Sequence, residues 1–338
     1  MLLLLAGLTA CAAQPGRTPA RPAVPGPVAA VPPPASRPAV PDQGFESWLQ
    51  AFKTDAATKG ISRRTLDTAF ADVTPNPRVV ELDQKQPEGR ITFSRYYQNV
   101  VPPRIERGRR MLAENAELLN RVAGTYGVPS RVVVALWGVE TSFGVNQGKF
   151  SLVRSLATLA YEGRRAEFFR GELLNALTIM EQEGYGPDKM VGSWAGAMGQ
   201  CQFMPSSYLK WAVDFDGDGH RDIWATRADV FASAANYLKQ NGWVPGEGWG
   251  RKVAVPARLS GNLVGLETKK SLAEWQALGV RLPDGGNLPV AELSASLINP
   301  GDEGNYWLVY ENFRVIMRWN RSTYFAMSVL SLADEIGR

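Results

Sequence analysis

Glu140 is the residue whose setting most clearly suggests chemistry. It lies in the run VVVALWGVETSFG, a carboxylate among Val134, Leu136, Trp137, Val139 and Phe143. A carboxylate kept dry costs free energy if it stays ionised. The run reads as a helix ending near Gly144, which places Glu140 close to the negative end of the helix dipole. Both effects favour the protonated acid and raise its pKa. An acid still protonated near neutral pH can deliver a proton to a glycosidic oxygen. The competing reading is a glutamate at an exposed helix end making an ordinary surface contact. The pattern alone leaves both open.

A second group is acidic. Asp214, Asp216 and Asp218 alternate and are followed by Gly219, His220 and Asp222. This matches the start of an EF-hand loop, with oxygen ligands at positions 1, 3 and 5, a glycine at 6 for the sharp turn, and a backbone carbonyl, that of His220, at 7. Position 12 departs, because Ala225 stands where a bidentate Glu belongs. Closely spaced aspartates repel unless a cation neutralises them. A hard cation, Ca2+ first, is therefore expected in a structural role; an acidic turn without an ion is the alternative.

The rare residues exclude other chemistries. His220 is the one histidine of 338 residues, so multi-histidine metal sites are ruled out. A Ser-His-Asp triad would have to use the same His220. Cys11 and Cys201 permit at most one disulfide. Cys201 has no basic cluster beside it in sequence, so it reads as a small buried thiol rather than a nucleophile. The net charge of +4 is too small to argue for nucleic acid, and it fits weak attraction to an anionic polymer such as a cell wall.

Helices must position these groups. Phe45, Trp48, Leu49 and Phe52 share one apolar helix face. Ser62 reads as the N-cap of a second helix, and Pro75 and Pro77 as a break. A long helix is expected from Pro103 to Ala123, then a buried central helix capped by Ser130 and carrying Glu140. Further helices are expected over 165–183, near Pro205, near Asp229 and over 324–336. Val191 to Gln202 reads as Gly-rich loop. Residues 251–319 alternate in runs such as KVAVPA and FRVIMRW between Gly and Pro, which predicts a small β-rich part with one short helix near Leu272. The expected fold class is α+β, mainly α-helical.

The N-terminus reads as an address. Residues 1–10, MLLLLAGLTA, are too short to span a bilayer. Leu8-Thr9-Ala10-Cys11 resembles a bacterial lipobox, with Cys11 as the acylated first residue of the mature protein and Ala12 fitting outer-membrane sorting. Residues 12–41, rich in Pro and Ala, read as an extended tether. The folded part is then 42–338, with the acylated Cys11 leaving Cys201 unpaired.

Three blocks carry a resemblance. Ala135-Leu136-Trp137-Gly138-Val139-Glu140-Thr141-Ser142-Phe143-Gly144, then the stretch from Ser193 through Gln202 to Tyr208, then Asn320 to Met327 resemble, in order and spacing, the lytic murein transglycosylase B family. The resemblance covers roughly Phe45 to Ile336. It implies a lysozyme-like core, about 104–250, with an additional helical subdomain. It implies cleavage of the β-1,4 bond between N-acetylmuramic acid and N-acetylglucosamine, giving 1,6-anhydromuramoyl ends because the sugar's own 6-hydroxyl attacks C1. One acid, Glu140, suffices for that route, whereas hydrolytic glycosidases normally place two carboxylates. The family pattern further implies Ser193, Gln202 and Tyr237 near the scissile bond, Arg164 and Arg165 toward the acidic peptide stem or lactyl group, and Trp319 and Asn320 completing the cleft. Trp319 stands where the family often has Tyr, so stacking on a sugar face is the expected role there. In the family the cation loop is longer and closed by a later Asp, which Asp229 supplies. The implied partners are peptidoglycan strands, a membrane reached through the lipid anchor in the periplasm, and other cell-wall enzymes. A muramidase that hydrolyses the same bond, and a noncatalytic wall-binding lipoprotein, are the rival readings.

Overall fold

The structure is a computed structural model that describes residues 44–85, 91–162, 164–301 and 304–338. Cys11, the lipobox and the 12–41 tether lie outside the described residues. Helix α1 (Phe45–Thr58) buries Leu49, Phe52 and Ala56 on the face its spacing predicts. Helix α2 (Arg63–Ala69) starts at Ser62, whose hydroxyl accepts from the Thr65 N–H. Pro77 does not simply break the pattern: it is the first residue of α3 (Pro77–Gln84), where the missing N–H and fixed φ suit a helix start. Thr92 caps α4 (Phe93–Val100).

The single long helix expected over 103–123 is two helices, α5 (Ile105–Glu114) and α6 (Ala116–Tyr126), after a 3-10 turn at Pro102–Arg104. Asn115 makes the break. Its side-chain NH2 donates to the Met111 carbonyl, and its oxygen accepts from Arg227, far along the chain. A buried Asn that bonds locally competes with the helical ladder. Helix α7 (Ser130–Thr141) follows. Ser130 is not its cap; that place is held by Pro129, and the Ser130 hydroxyl donates to the Leu119 carbonyl instead.

Strand β1 (Phe150–Ser151) leads into α8 (Leu152–Glu162) and α9 (Ala166–Glu183), an antiparallel pair covered by α1, α2 and α3. Strand β2 (Val191–Gly192) pairs with β1, and α10 (Pro205–Trp211) and α11 (Arg227–Gln240) complete the helical part. Strands β3 (Gly250–Val253) and β4 (Lys270–Ser271), helix α12 (Leu272–Ala277), and strands β5 (Ser294–Ile298) and β6 (Tyr306–Val309) form a four-stranded antiparallel sheet in the order β3-β6-β5-β4. It has its own small core around Trp275, Val280, Leu297 and Leu308. Ser271 and Glu274 form the capping box of α12. FRVIMRW is not a strand. It is α13 (Glu311–Trp319), with Phe313, Val315 and Ile316 buried. A short run with β-branched residues cannot be sorted by period alone. Helix α14 (Thr323–Ile336) closes the fold, capped by Ser322 and laid along α7.

Candidate active site

Helix α7 is the axle of the helical part. Its Val132 to Gly138 are all buried, with α14, α5, α6 and α11 around it. Burying Val132, Val133, Val134 and Leu136 contributes roughly 2 kcal/mol each, which offsets the few kcal/mol that a buried carboxyl costs. The helix ends at Thr141, three residues before Gly144, in an unusual way. Ser142, Phe143 and Gly144 take φ of 51°, 60° and 81°, three left-handed residues in a row. Non-glycine residues pay about 1 kcal/mol or more for this conformation. The turn throws the Phe143 ring back over Gly138, where a Cβ would lie 2.7 Å from the ring. Only glycine at 138 leaves that room. Arg104 ties the turn down. Its guanidinium donates to the carbonyls of Gly138 and Val100, each at 2.8 Å, and to the Ser142 hydroxyl at 3.2 Å.

Glu140 sits on the last turn of this helix. It lines a tight, largely apolar pocket with Leu136, Trp137, Cys201, Phe231 and Trp319. Removal from water in these apolar surroundings pushes its pKa up to about 7. A single strong hydrogen bond opposes that shift: the Trp319 indole N–H donates to Glu140 Oε1 at 2.7 Å. Tyr96 of α4 faces the same carboxyl, and its phenol pKa is raised by burial and by Glu140. Beneath, Gln200 joins the Gly-rich loop to α7. It accepts from the Trp137 indole at 2.7 Å and donates to the Trp224 carbonyl at 2.8 Å. Arg104, Tyr96 and Gln200 escape a reading of the sequence, because their partners are 34 to 63 residues away or are backbone atoms.

The other expected residues divide into groups. Trp319 and Tyr237 are brought to Glu140: their rings meet edge-on at 4.7 Å, and Phe203 packs on Trp319 at 5.2 Å. The Tyr237 hydroxyl donates to the Arg318 carbonyl. Ser193 and Gln202 hold the Gly-rich loop. Ser193 Oγ accepts from the Ala197 N–H, and the Gln202 amide donates to the carbonyls of Gly199 and Gln147, with its backbone at φ 51°. Asn320 is exposed and turns the chain into α14 by accepting from the Ser322 N–H. Arg164 and Arg165 stand exposed at the α8–α9 corner. Arg164 donates to the Asp83 carbonyl, and Arg165 lies over the Phe169 ring. Cys201 is buried, and its thiol donates to the Val230 carbonyl; burial raises its pKa, which makes it a poor nucleophile.

The acidic loop closes as the longer pattern requires. Carboxylate oxygens of Asp214, Asp216 and Asp229 lie within 4.8 Å of one another. Asp229 comes from the first turn of α11 and is buried, with both oxygens accepting backbone N–H groups of Phe215 and Asp222. Burial and the two neighbouring aspartates push its pKa up to about 6. Three acidic groups converging on one point suit a hard cation. Asp218 is not part of the trio: it accepts from the His220 N–H. The His220 imidazole points to Glu183, 3.8 Å away.

Known proteins resemble this chain. The model of the transglycosylase SLT domain family matches residues 44–334. Membrane-bound lytic murein transglycosylase B of Escherichia coli is 38% identical over 242 residues, which cover 70% of this chain and 65% of that protein. SltB3 of Pseudomonas aeruginosa, crystallised with NAG-NAM-pentapeptide, superimposes with a TM-score of 0.85 at 45% identity, covering 87% of this chain and 80% of that one. Slt35 of Escherichia coli, crystallised with calcium, gives a TM-score of 0.75 at 35% identity, covering 86% and 92%. The protein with this α7 acid and this acidic loop belongs to the transglycosylase SLT domain family.

Proposed function

We propose that this protein is a peptidoglycan lytic transglycosylase that uses Glu140 as its single acid and base. The observation that carries the reading is a carboxyl group held in an apolar pocket with its pKa near 7. Protonated Glu140 gives its proton to the glycosidic oxygen between N-acetylmuramic acid and N-acetylglucosamine. The C1–O4 bond breaks, its electron pair leaves with O4, and the leaving sugar departs with a free 4-hydroxyl. The muramoyl 6-hydroxyl then attacks C1, and its proton passes to the Glu140 carboxylate. The acid is restored and no water is consumed.

Ser193, Gln202, Tyr237 and Asn320 form the walls of the glycan groove in this reading. The exposed guanidinium groups of Arg164 and Arg165 suit the acidic peptide stem. SltB3 binding a NAG-NAM-pentapeptide supports the same substrate class for this chain. Asp214, Asp216 and Asp229 hold a structural Ca2+, and the calcium complex of Slt35 supports that choice. A periplasmic location with an outer-membrane anchor at acylated Cys11 is part of this reading, and the Leu8 to Cys11 motif supports it. The test is mass spectrometry of digested cell wall. Wild type should release muropeptides one water lighter than hydrolysis products. Glu140→Gln should lose about 100-fold or more in rate, the usual cost of removing a general acid. Reducing ends from the wild type would replace this reading with that of a hydrolase.

A further inference from the structure

We infer that Trp319 acts through Glu140: it is a positioning residue that fixes which carboxyl oxygen carries the catalytic proton, rather than a platform for a sugar ring. The inference rests on Glu140 being the acid. An indole N–H can only donate, and the carbonyl oxygen of a protonated carboxyl is its stronger acceptor. Glu140 Oε1, which accepts the bond at 2.7 Å, is therefore favoured as the bare oxygen, which leaves the proton to Oε2. When Oε2 gives that proton away, the same N–H faces an anion and the bond strengthens. The donor thus favours the state reached after proton transfer, while the apolar pocket favours the state before it.

Trp319 is itself held before any substrate arrives. It is the last residue of α13, and its backbone is anchored on both sides. Tyr237 donates to the Arg318 carbonyl at 2.8 Å, and the Asn320 N–H reaches the Ile316 carbonyl at 3.0 Å. Phe203 and Tyr237 press on its half-buried ring at 5.2 and 4.7 Å, which fixes the direction in which the indole N–H points. This also gives Tyr237 a supporting task. The other titratable groups toward Glu140 are Tyr96 from α4 and Cys201 from the Gly-rich loop, with the Arg104 guanidinium beside Tyr96. Among these described groups only Trp319 makes a hydrogen bond to the carboxyl.

The test compares wild type with Trp319→Phe, which keeps an aromatic face but lacks the N–H. Loss of a donor to the ionised form raises the acid's pKa. The alkaline limb of kcat on a soluble muropeptide should move up by about one pH unit and kcat should fall about tenfold, with KM changed less than twofold. A variant with 3-benzothienylalanine at 319 keeps the bicyclic shape and replaces N–H by sulfur; it should show the same limb shift even if Phe leaves a destabilising gap. A raised KM with an unmoved limb in both variants overturns the inference and restores the sugar-stacking role. The Glu140 titration can also be followed by carboxyl-carbon NMR without any turnover. A wild type that makes no anhydro product would then refute the proposed function alone, while an unshifted titration in the variants refutes the role of Trp319.

Discussion

Replacing Glu140 with Gln should stabilise the protein, and by an amount that depends on pH. In the unfolded chain the carboxyl titrates near its ordinary 4.5; in the fold it titrates at about 7. The folded pKa is the higher one, so between these values the folded protein holds a proton that the unfolded chain has released. Stability therefore falls as pH rises through that window and levels off above it. A tenfold change in proton affinity is about 1.4 kcal/mol, so the full loss is about 3 kcal/mol. Gln has the same shape, keeps an oxygen for the Trp319 N–H and never ionises. The two proteins should melt alike near pH 4.5 and diverge up to pH 8, where Glu140→Gln melts about 6 °C higher at roughly 2 °C per kcal/mol for a domain of this size. Calorimetry or circular dichroism at half-unit pH steps measures this. Activity should fall over the same protonation range: at pH 8 about one molecule in ten still carries the proton. A melting difference that is flat from pH 4.5 to 8 would refute the desolvated, protonated acid, whatever the enzyme's product.

Two other perturbations probe the frame. A calcium chelator should lower the melting temperature by a few degrees, because a ligand at about 100 times its Kd contributes about 2.7 kcal/mol. Asp229→Asn should remove that dependence, and a chelator-insensitive wild type would count against the cation site. Gly148→Ala should be severely destabilising, since the residue has φ +88° and a Cβ would fall 2.0 Å from the Gly192 carbonyl oxygen. Gly60→Ala, also left-handed but in open space, should cost only about 1 kcal/mol. Equal stability of the two variants in urea unfolding would show that the β1–β2 approach is not tight.

Much of the site was legible because its signals are local. A carboxylate in an apolar helical run, alternating aspartates before a glycine, and serines at helix starts all follow from neighbours a few residues away. Ser62 does cap its helix. The misreadings share one cause. Asn115 splits a helix because of Arg227, and Ser130 fails as a cap because it serves Leu119. FRVIMRW becomes a helix whose buried face fits the main core. No local rule carries those partners.

The amino-acid sequence by itself determined a carboxylate in an apolar helix and an acidic loop, because charge, hydropathy and spacing are properties of adjacent residues. Tertiary structure alone decided what Glu140 touches. Trp319 reaches it from 179 positions away, and the fold likewise leaves Asp218 out of the trio that Asp214, Asp216 and Asp229 make. Hydrogen bonds and desolvation act over a few ångströms of space, and only folding sets which residues those ångströms join.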